Sequence, residues 1–353
     1  MIDLRPLTAR VRRRFSGDSD LLALADERVE FAPATEAENR PAIELDDEAD
    51  RYLRLASGIS PADFAGRMAG GLVRHAATIG WRFAEATIAD GTVYANRGYS
   101  VIAPGRKRAV LTGARDDYAD TMLATNQVCE QYFGHWLTDG LSLELLAAER
   151  RLGAIGLARV PWEQEPGYRP LVDLTLPRTA WARVGNLWLV DDRGMNAGRV
   201  ARLALLRTRI RAHVPATVPG APCFLLRVGG ESRALANQTA LAELLARRGF
   251  RILTPEREPV ADLVAAIAAA SLVVSVEGSA LCHGVMAMQP GGTILAIQPP
   301  TRVNWIQKAW CDCAGLRFAQ TAGDPAGPPA DGAFTMPEDR LLRLIDRIDR
   351  VVG

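Results

Sequence analysis

The stretch SLVVSVEGSALCHGVMAMQPGGTILAIQPP, Ser271–Pro300, decides the fold. An apolar run, Leu272–Val276, stops at Glu277-Gly278-Ser279. Such a short apolar run, bounded by turn residues, predicts a strand buried on both faces. A helical stretch, SALCHGVMAM, follows; Pro290-Gly291-Gly292 breaks it, and GTILAIQPP reads as the next strand. The same rhythm extends upstream. CFLLRV from Cys223 reads as a strand, NQTALAELLARRGF as a helix closed by Gly249, and RILTP as a strand. PVADLVAAIAAA then reads as a helix with Pro259 at its start, where a missing N–H costs nothing. Strands and helices alternating over short connections predict an α/β fold with a parallel, doubly wound sheet. Residues 322–333 read as a linker and PEDRLLRLIDRIDRVV as a closing amphipathic helix.

The N-terminal half has a different texture. Residues 1 to about 60 are polar and uneven, which predicts peripheral helices and loops. From Trp81 short apolar runs are broken at Asp90-Gly91, Asn96-Arg97-Gly98 and Pro104-Gly105, the pattern of a β-meander. FGHWLTDGLSLELLAAERRLG reads as a helix from about Gly134, with Leu137, Leu141 and Leu145 on one apolar face. VGNLWLV reads as a strand, and Gly198–Arg211 as a long helix ending before Pro215.

With 353 residues, 48% of them hydrophobic and 24% charged, the chain is long enough for two globular domains. A net charge of +1 argues against a general nucleic-acid binder. No apolar run is long enough to span a bilayer, and MIDLRPLTARVRRRF lacks the apolar core of a signal peptide. A cytoplasmic protein is expected. The arginines Arg5, Arg10, Arg12, Arg13 and Arg14 leave two readings open: a solvated helix end, or contact with an anionic membrane at its inner face. Cys129, Cys223, Cys282, Cys311 and Cys313 fit no zinc spacing and are expected to be free thiols.

Ligands of open parallel sheets bind at the carboxyl ends of the strands, which is where Glu277-Gly278-Ser279 falls. Gly278 lets backbone approach a ligand, and the following helix offers unpaired N–H groups and a positive dipole end to an anion such as a phosphate. Glu277 repels phosphate and suits a ribose or sugar hydroxyl instead. The alternative is a tight strand-to-helix turn with a serine cap. Arg227 and Arg233 flank Gly229-Gly230 at the end of the first strand of the same sheet, an arrangement suited to bidentate phosphate contact. Taken singly, each could be a surface arginine.

The order Arg227-x5-Arg233-x3-Asn237, then Gly249-Phe250 before a strand, then Gly278-Ser279-Ala280-Leu281, then Pro290-Gly291 before the last strand resembles glycosyltransferase family 61. YFGHWLTD upstream resembles that family's His-Trp-Leu…Asp segment, and the resemblance covers about residues 80 to 320. Eukaryotic members usually carry His in place of Glu277 and Asn in place of His283; the form here, with QPP after the strand, looks like bacterial members of capsular or surface polysaccharide synthesis. The resemblance implies a GT-B architecture, two Rossmann-like domains facing each other across a cleft, here with an extra N-terminal β-meander. It implies an acceptor-side domain over residues 1–214, a nucleotide-sugar-binding domain over 215–330, and a closing crossover helix over 331–353 that packs back on the N-terminal domain. It further implies a metal-independent, inverting transfer with no cofactor beyond the nucleotide-sugar co-substrate. Asp18-Ser19-Asp20 is the one Asp-x-Asp and does not follow a strand. The donor contacts it implies are Arg227, Arg233, Asn237, Glu277, Gly278, Ser279, Ala280 and His283. His283 also reads as a core histidine.

Inverting transfer needs a base for the acceptor hydroxyl. His135 and Asp139, four apart at a helix start, share a face and are the candidates. Either could be the base, and a purely structural His–Asp pair is the alternative. The expected activity is sugar transfer from a nucleotide-activated donor to a glycan acceptor, one that could be lipid-linked. Its rivals are a nucleotide-sugar epimerase and a non-catalytic binding helper.

Overall fold

The structure, a computed structural model, describes residues 5–8, 11, 20–104, 116–214, 220–228, 234–327 and 332–352. Two compact units emerge. Unit 1 comprises Met1–Thr35, His75–Trp162 and Asp173–Arg202; unit 2 comprises Glu36–Arg74, Glu163–Val172 and Leu203–Gly353. The chain therefore enters each unit more than once, whereas a single boundary near residue 215 would have it cross once. The division falls inside the long Ala197–Ala212 helix, after Arg202.

Unit 1 is built on an eight-stranded mixed sheet. Its strands are β1 (Glu27–Ala32), β2 (Thr78–Ala89), β3 (Thr92–Ala95), β4 (Gly98–Val101), β5 (Asp116–Leu123), β6 (Gly153–Leu157), β7 (Arg178–Thr179) and β8 (Trp181–Asp191). The order is β4-β3-β2-β8-β5-β6-β7, with β1 also paired to β2. Strands β2 to β4 form the expected antiparallel meander. Its two-residue loops, Asp90-Gly91 and Asn96-Arg97, have positive φ at both central positions (46° and 79°, 46° and 68°). That is the turn geometry whose twist matches a hairpin, and Asn, Asp and Gly adopt it most readily. From β8 outward the sheet is parallel through β5, β6 and β7. A parallel pair needs a crossover, and the one from β5 to β6 contains the His135 helix. Adjacent residues of β5 point to opposite faces: Met122 joins Phe31, Leu143 and Leu146, while Leu123 joins Phe83, Ile155 and Leu187.

Unit 2 holds a parallel five-stranded sheet: β9 (Cys223–Leu225), β10 (Arg251–Leu253), β11 (Leu272–Val276), β12 (Thr293–Gln298) and β13 (Arg317–Ala322). The order β10-β9-β11-β12-β13 is doubly wound, with the switch point between β9 and β11. All five positions of β11 and all six of β12 are buried, as uninterrupted apolar runs require. Strand β13 and the Ile306–Ala314 helix before it extend this sheet beyond the strands read from the sequence. The segment around Ile43 covers the open edge of β13, with Ile43 N–H bonded to Phe318 O and Gln320 N–H to Ile43 O. Covering an edge removes a row of unpaired backbone groups, and this ties residues 36–74 to unit 2.

The closing helix, Glu338–Val352, buries Leu341, Leu344, Ile345 and Ile348 on one stripe. They share one core with Phe224, Val274 and Leu295 of the parallel sheet. The helix thus packs within unit 2. The N-terminal residues it meets through ion pairs, Asp46, Asp47 and Glu48, belong to that unit as well. Buried Arg340 donates to Thr321 Oγ1, both oxygens of Asp47 and Glu48 Oε2, which spreads its charge over matched acceptors. The five cysteines are free thiols, four of them buried. Among the described residues no helix is long and apolar enough to cross a membrane. Arg5 packs within unit 1, bonded to Thr87 Oγ1 and paired with Glu85, while Arg10, Arg12, Arg13 and Arg14 lie outside the described residues.

Leu344, fully buried, is expected to be essential to this core. Leu344→Ala should lower stability by about 2–5 kcal/mol through lost burial and a residual cavity. Denaturant unfolding checks it, and a loss under about 1 kcal/mol would contradict the packing.

Candidate functional site

In unit 1 the site begins where β5 ends. Asn126 caps the short Gln127–Gln131 helix, its Oδ1 accepting from Val128 N–H and Cys129 N–H at 3.1 and 3.0 Å. The chain then continues through Phe133–His135, a π-helical turn Trp136–Gly140, and the Leu141–Glu149 helix. The sequence suggested one apolar face, yet every residue from Leu141 to Ala147 is buried. A π-turn widens one helical turn and often marks a functional position. Here it carries Asp139. His135 Nδ1 lies 2.5 Å from Asp139 Oδ2, and Arg199 Nη2 donates to Asp139 Oδ1.

Arg199 is only 2% exposed. Besides Asp139 it donates to the backbone oxygen and carboxylate of Asp192. Asp192 in turn accepts from Thr78 Oγ1 at 2.6 Å and Arg202 Nη2 at 2.7 Å. Burial alone would raise the Asp139 carboxyl, but the Arg199 charge and the His135 and Arg199 hydrogen bonds outweigh it and hold its pKa at about 2. Asp139 is therefore an ionised acceptor. An ionised carboxylate can only accept, so the proton of the short His135–Asp139 contact sits on Nδ1, and Nε2 is the ring nitrogen left for another partner. Sequence spacing found the His135–Asp139 pair. Arg199, 60 residues on, carried no local signal that it belongs with them.

In unit 2 the Glu277 turn lies beside the switch point. Leu225 of β9 pairs with Ser275 of β11. Counting two residues on from each brings Arg227 level with Glu277. Gln238 clamps the Arg227 backbone, accepting from its N–H at 2.9 Å and donating to its carbonyl at 3.1 Å. Gly278 has φ +149°, a conformation that disfavours side chains, and the space a Cβ would occupy is open. Ser279 does not cap the next helix: the residue before Leu281–Ala287 is Ala280, and no side chain caps it. Arg233, with Gly229 and Gly230, lies outside the described residues.

Glu277 is 3% exposed and anchored. Its Oε2 accepts from Arg302 Nη1 at 3.0 Å and its Oε1 from Gln307 Nε2 at 3.3 Å. Gln307 Oε1 is buried without a hydrogen-bond partner among the described residues, an unmet acceptor beside Glu277. Arg302 and Gln307 come from the segment after β12 and were not read from sequence. Two other nominated residues face elsewhere. Asn237 exchanges both amide hydrogen bonds with the Met336 backbone, at 2.8 and 3.1 Å, pinning the start of the closing segment. His283 is 1% exposed; its Nδ1 lies 2.7 Å from the Tyr168 hydroxyl and its ring stacks on that tyrosine. Burial pushes the His283 pKa down to about 3, so the ring stays neutral. Among the described residues no group of three or more His, Cys, Asp or Glu side chains is placed to hold a metal ion.

Residues 133–295 match the family model described as Glycosyltransferase 61. The matched stretch is shorter than the resemblance read from about residues 80 to 320, yet contains every nominated residue of both units. It supports that family and identifies the chain as an enzyme, a glycosyltransferase. No curated protein matches the chain.

The Asp139 pairing has a measurable pH signature. Its folded-state pKa, about 2, lies below the ordinary 3.8. Its stabilisation is therefore complete above pH ~4 and lost as pH falls through about 2, amounting to about 2 kcal/mol. Asp139→Asn should be less stable than the parent at pH 6, with the gap closing toward pH 2. Parallel stability curves across that range would show that Asp139 is not held ionised.

Proposed function

We propose that this glycosyltransferase moves a sugar from a nucleotide-activated donor to a glycan acceptor by an inverting, metal-independent reaction of the family 61 type. The observation that carries the reading is the Arg199–Asp139–His135 chain, in which an ionised carboxylate orients a histidine inside the family-matched stretch. His135 then acts as the general base and Asp139 as its orienting partner. Nε2 takes the acceptor hydroxyl proton as that oxygen attacks the anomeric carbon. The bond from that carbon to the diphosphate oxygen breaks on the opposite face, inverting the centre. Asp139 stabilises the imidazolium that forms.

Unit 2 supplies donor binding. Arg227 and Arg233 neutralise the leaving diphosphate, with the backbone of Gly278, Ser279 and Ala280 close to it. Glu277, held by Arg302 and Gln307, accepts from a hydroxyl of the donor, and the unmet oxygen of Gln307 suits a second. Asn237 and His283 support the site as scaffold, the roles their present partners favour. We place the enzyme in the GT-B class, in the cytoplasm, in bacterial surface polysaccharide synthesis with a lipid-linked acceptor. The bacterial form of the Glu277…His283 segment supports this.

Two variants separate the roles. His135→Ala should lose on the order of 10²–10⁴ in turnover while nucleotide affinity is unchanged. Arg227→Ala should weaken binding across a panel of nucleoside diphosphates by roughly ten- to a hundred-fold. Near-normal transfer by folded His135→Ala would remove it from the mechanism. Release of free nucleotide and a modified sugar without acceptor would favour an epimerase.

A further inference from the structure

Unit 2 contains a cavity of about 910 Å³ that the transferase reading does not use. Its volume falls at the upper end of small-molecule sites. The Pro61–Ala69 helix contributes Phe64, Ala65 and Met68; the chain around Ile43 and Leu45 forms another wall; and Val351, 56% exposed, stands at the end of the closing helix. An apolar cavity of this size is a place where an apolar ligand recovers contacts that protein atoms leave unmade.

The polar groups around it say what kind of ligand. Three arginines, Arg40, Arg317 and Arg347, line the cavity. Of the two carboxylates there, Asp46 pairs with Arg347. Glu44 is taken by the Tyr52 hydroxyl at 2.5 Å and by Gln320 Nε2 at 2.7 Å. Arg317 donates to the Gly291 carbonyl, and neither it nor Arg40 has a carboxylate within ion-pair distance among the described residues. An apolar chamber bordered by two arginines that no carboxylate touches, Arg40 feeling only the more distant Asp312, complements one ligand chemistry: a hydrocarbon chain ending in an anionic head.

We propose that this cavity binds an amphiphile whose chain lies along Ile43, Phe64 and Met68 and whose phosphate-like head is met by Arg40 and Arg317. The site stands independently of the donor turn, since none of its lining residues is among those nominated for sugar transfer.

Calorimetric titration of the full chain with dodecyl phosphate, below its micelle-forming concentration, tests it. Saturable one-to-one binding is expected, with inorganic phosphate silent and dodecyl maltoside at least about tenfold weaker. Ala65→Trp, at an exposed lining position, fills the chamber, and Arg40→Glu reverses a charge on the surface; each should weaken dodecyl phosphate about tenfold or more. Nucleotide binding measured on the same variants should not change, which separates this site's failure from that of the donor reading. Absence of saturable binding, equal binding of the neutral detergent, or undiminished binding by both folded variants would overturn the proposal.

Discussion

Arg199 carries a charge that is almost wholly buried, and unit 1 is organised around satisfying it. A buried guanidinium without partners would cost several kcal/mol, so the chain must bring carboxylates to it. Asp139 comes from the π-helical turn and Asp192 from the residue after β8, while Arg199 itself comes from the next helix. Asp192 also holds Arg202 and Thr78, and Arg202 reaches Ser142. Moving any one of these elements would strand a charge. The arrangement therefore gives rigidity in the place where a catalytic histidine needs a fixed ring.

Unit 2 solves a related problem at Glu277. A carboxylate at the end of a fully buried strand needs acceptor-matched neighbours, and Arg302 and Gln307 provide them. Gly278 then turns the chain through a backbone conformation that only glycine adopts at ease. The two sites share a design: an acidic residue paired with a cation from a later segment. They differ in exposure. Arg199 is closed off, whereas the Arg302 side chain is 40% exposed and its pairing is correspondingly softened by solvent.

Much of the fold was legible because apolar periodicity reports burial directly. Leu272–Val276 and Thr293–Gln298 read as strands because each is a short, largely apolar run closed by turn residues, the length and setting of a strand buried on both faces. The meander loops read as turns because Asp-Gly and Asn-Arg-Gly break the apolar runs on either side. The Ile306–Ala314 helix escaped for the opposite reason. Its buried side includes Lys308, 1% exposed and neutralised by Asp312 one turn later, so a polar pattern conceals an interior face. Strand β13 then had no preceding helix to announce it. Residues 36 to about 60 looked peripheral because edge-covering is done by backbone hydrogen bonds, which any side chain permits.

For the site, spacing on one helix was enough to join His135 to Asp139, and a strand-end position was enough to single out Glu277 and Gly278. Those are local geometries, set by 3.6-residue periodicity and by where an apolar run stops. What local pattern cannot carry is which distant charge completes each acid. Arg199 and Arg302 are two among many arginines in this chain, and only folding selects them. Asn237 and His283 make the converse point: their positions are local, but whether they meet ligand or core depends on Met336 and Tyr168, 99 and 115 residues away. The sequence by itself determined most of the elements and the residues at their ends. The tertiary structure decided protonation and partnership, because both depend on burial and on charges brought close from far along the chain.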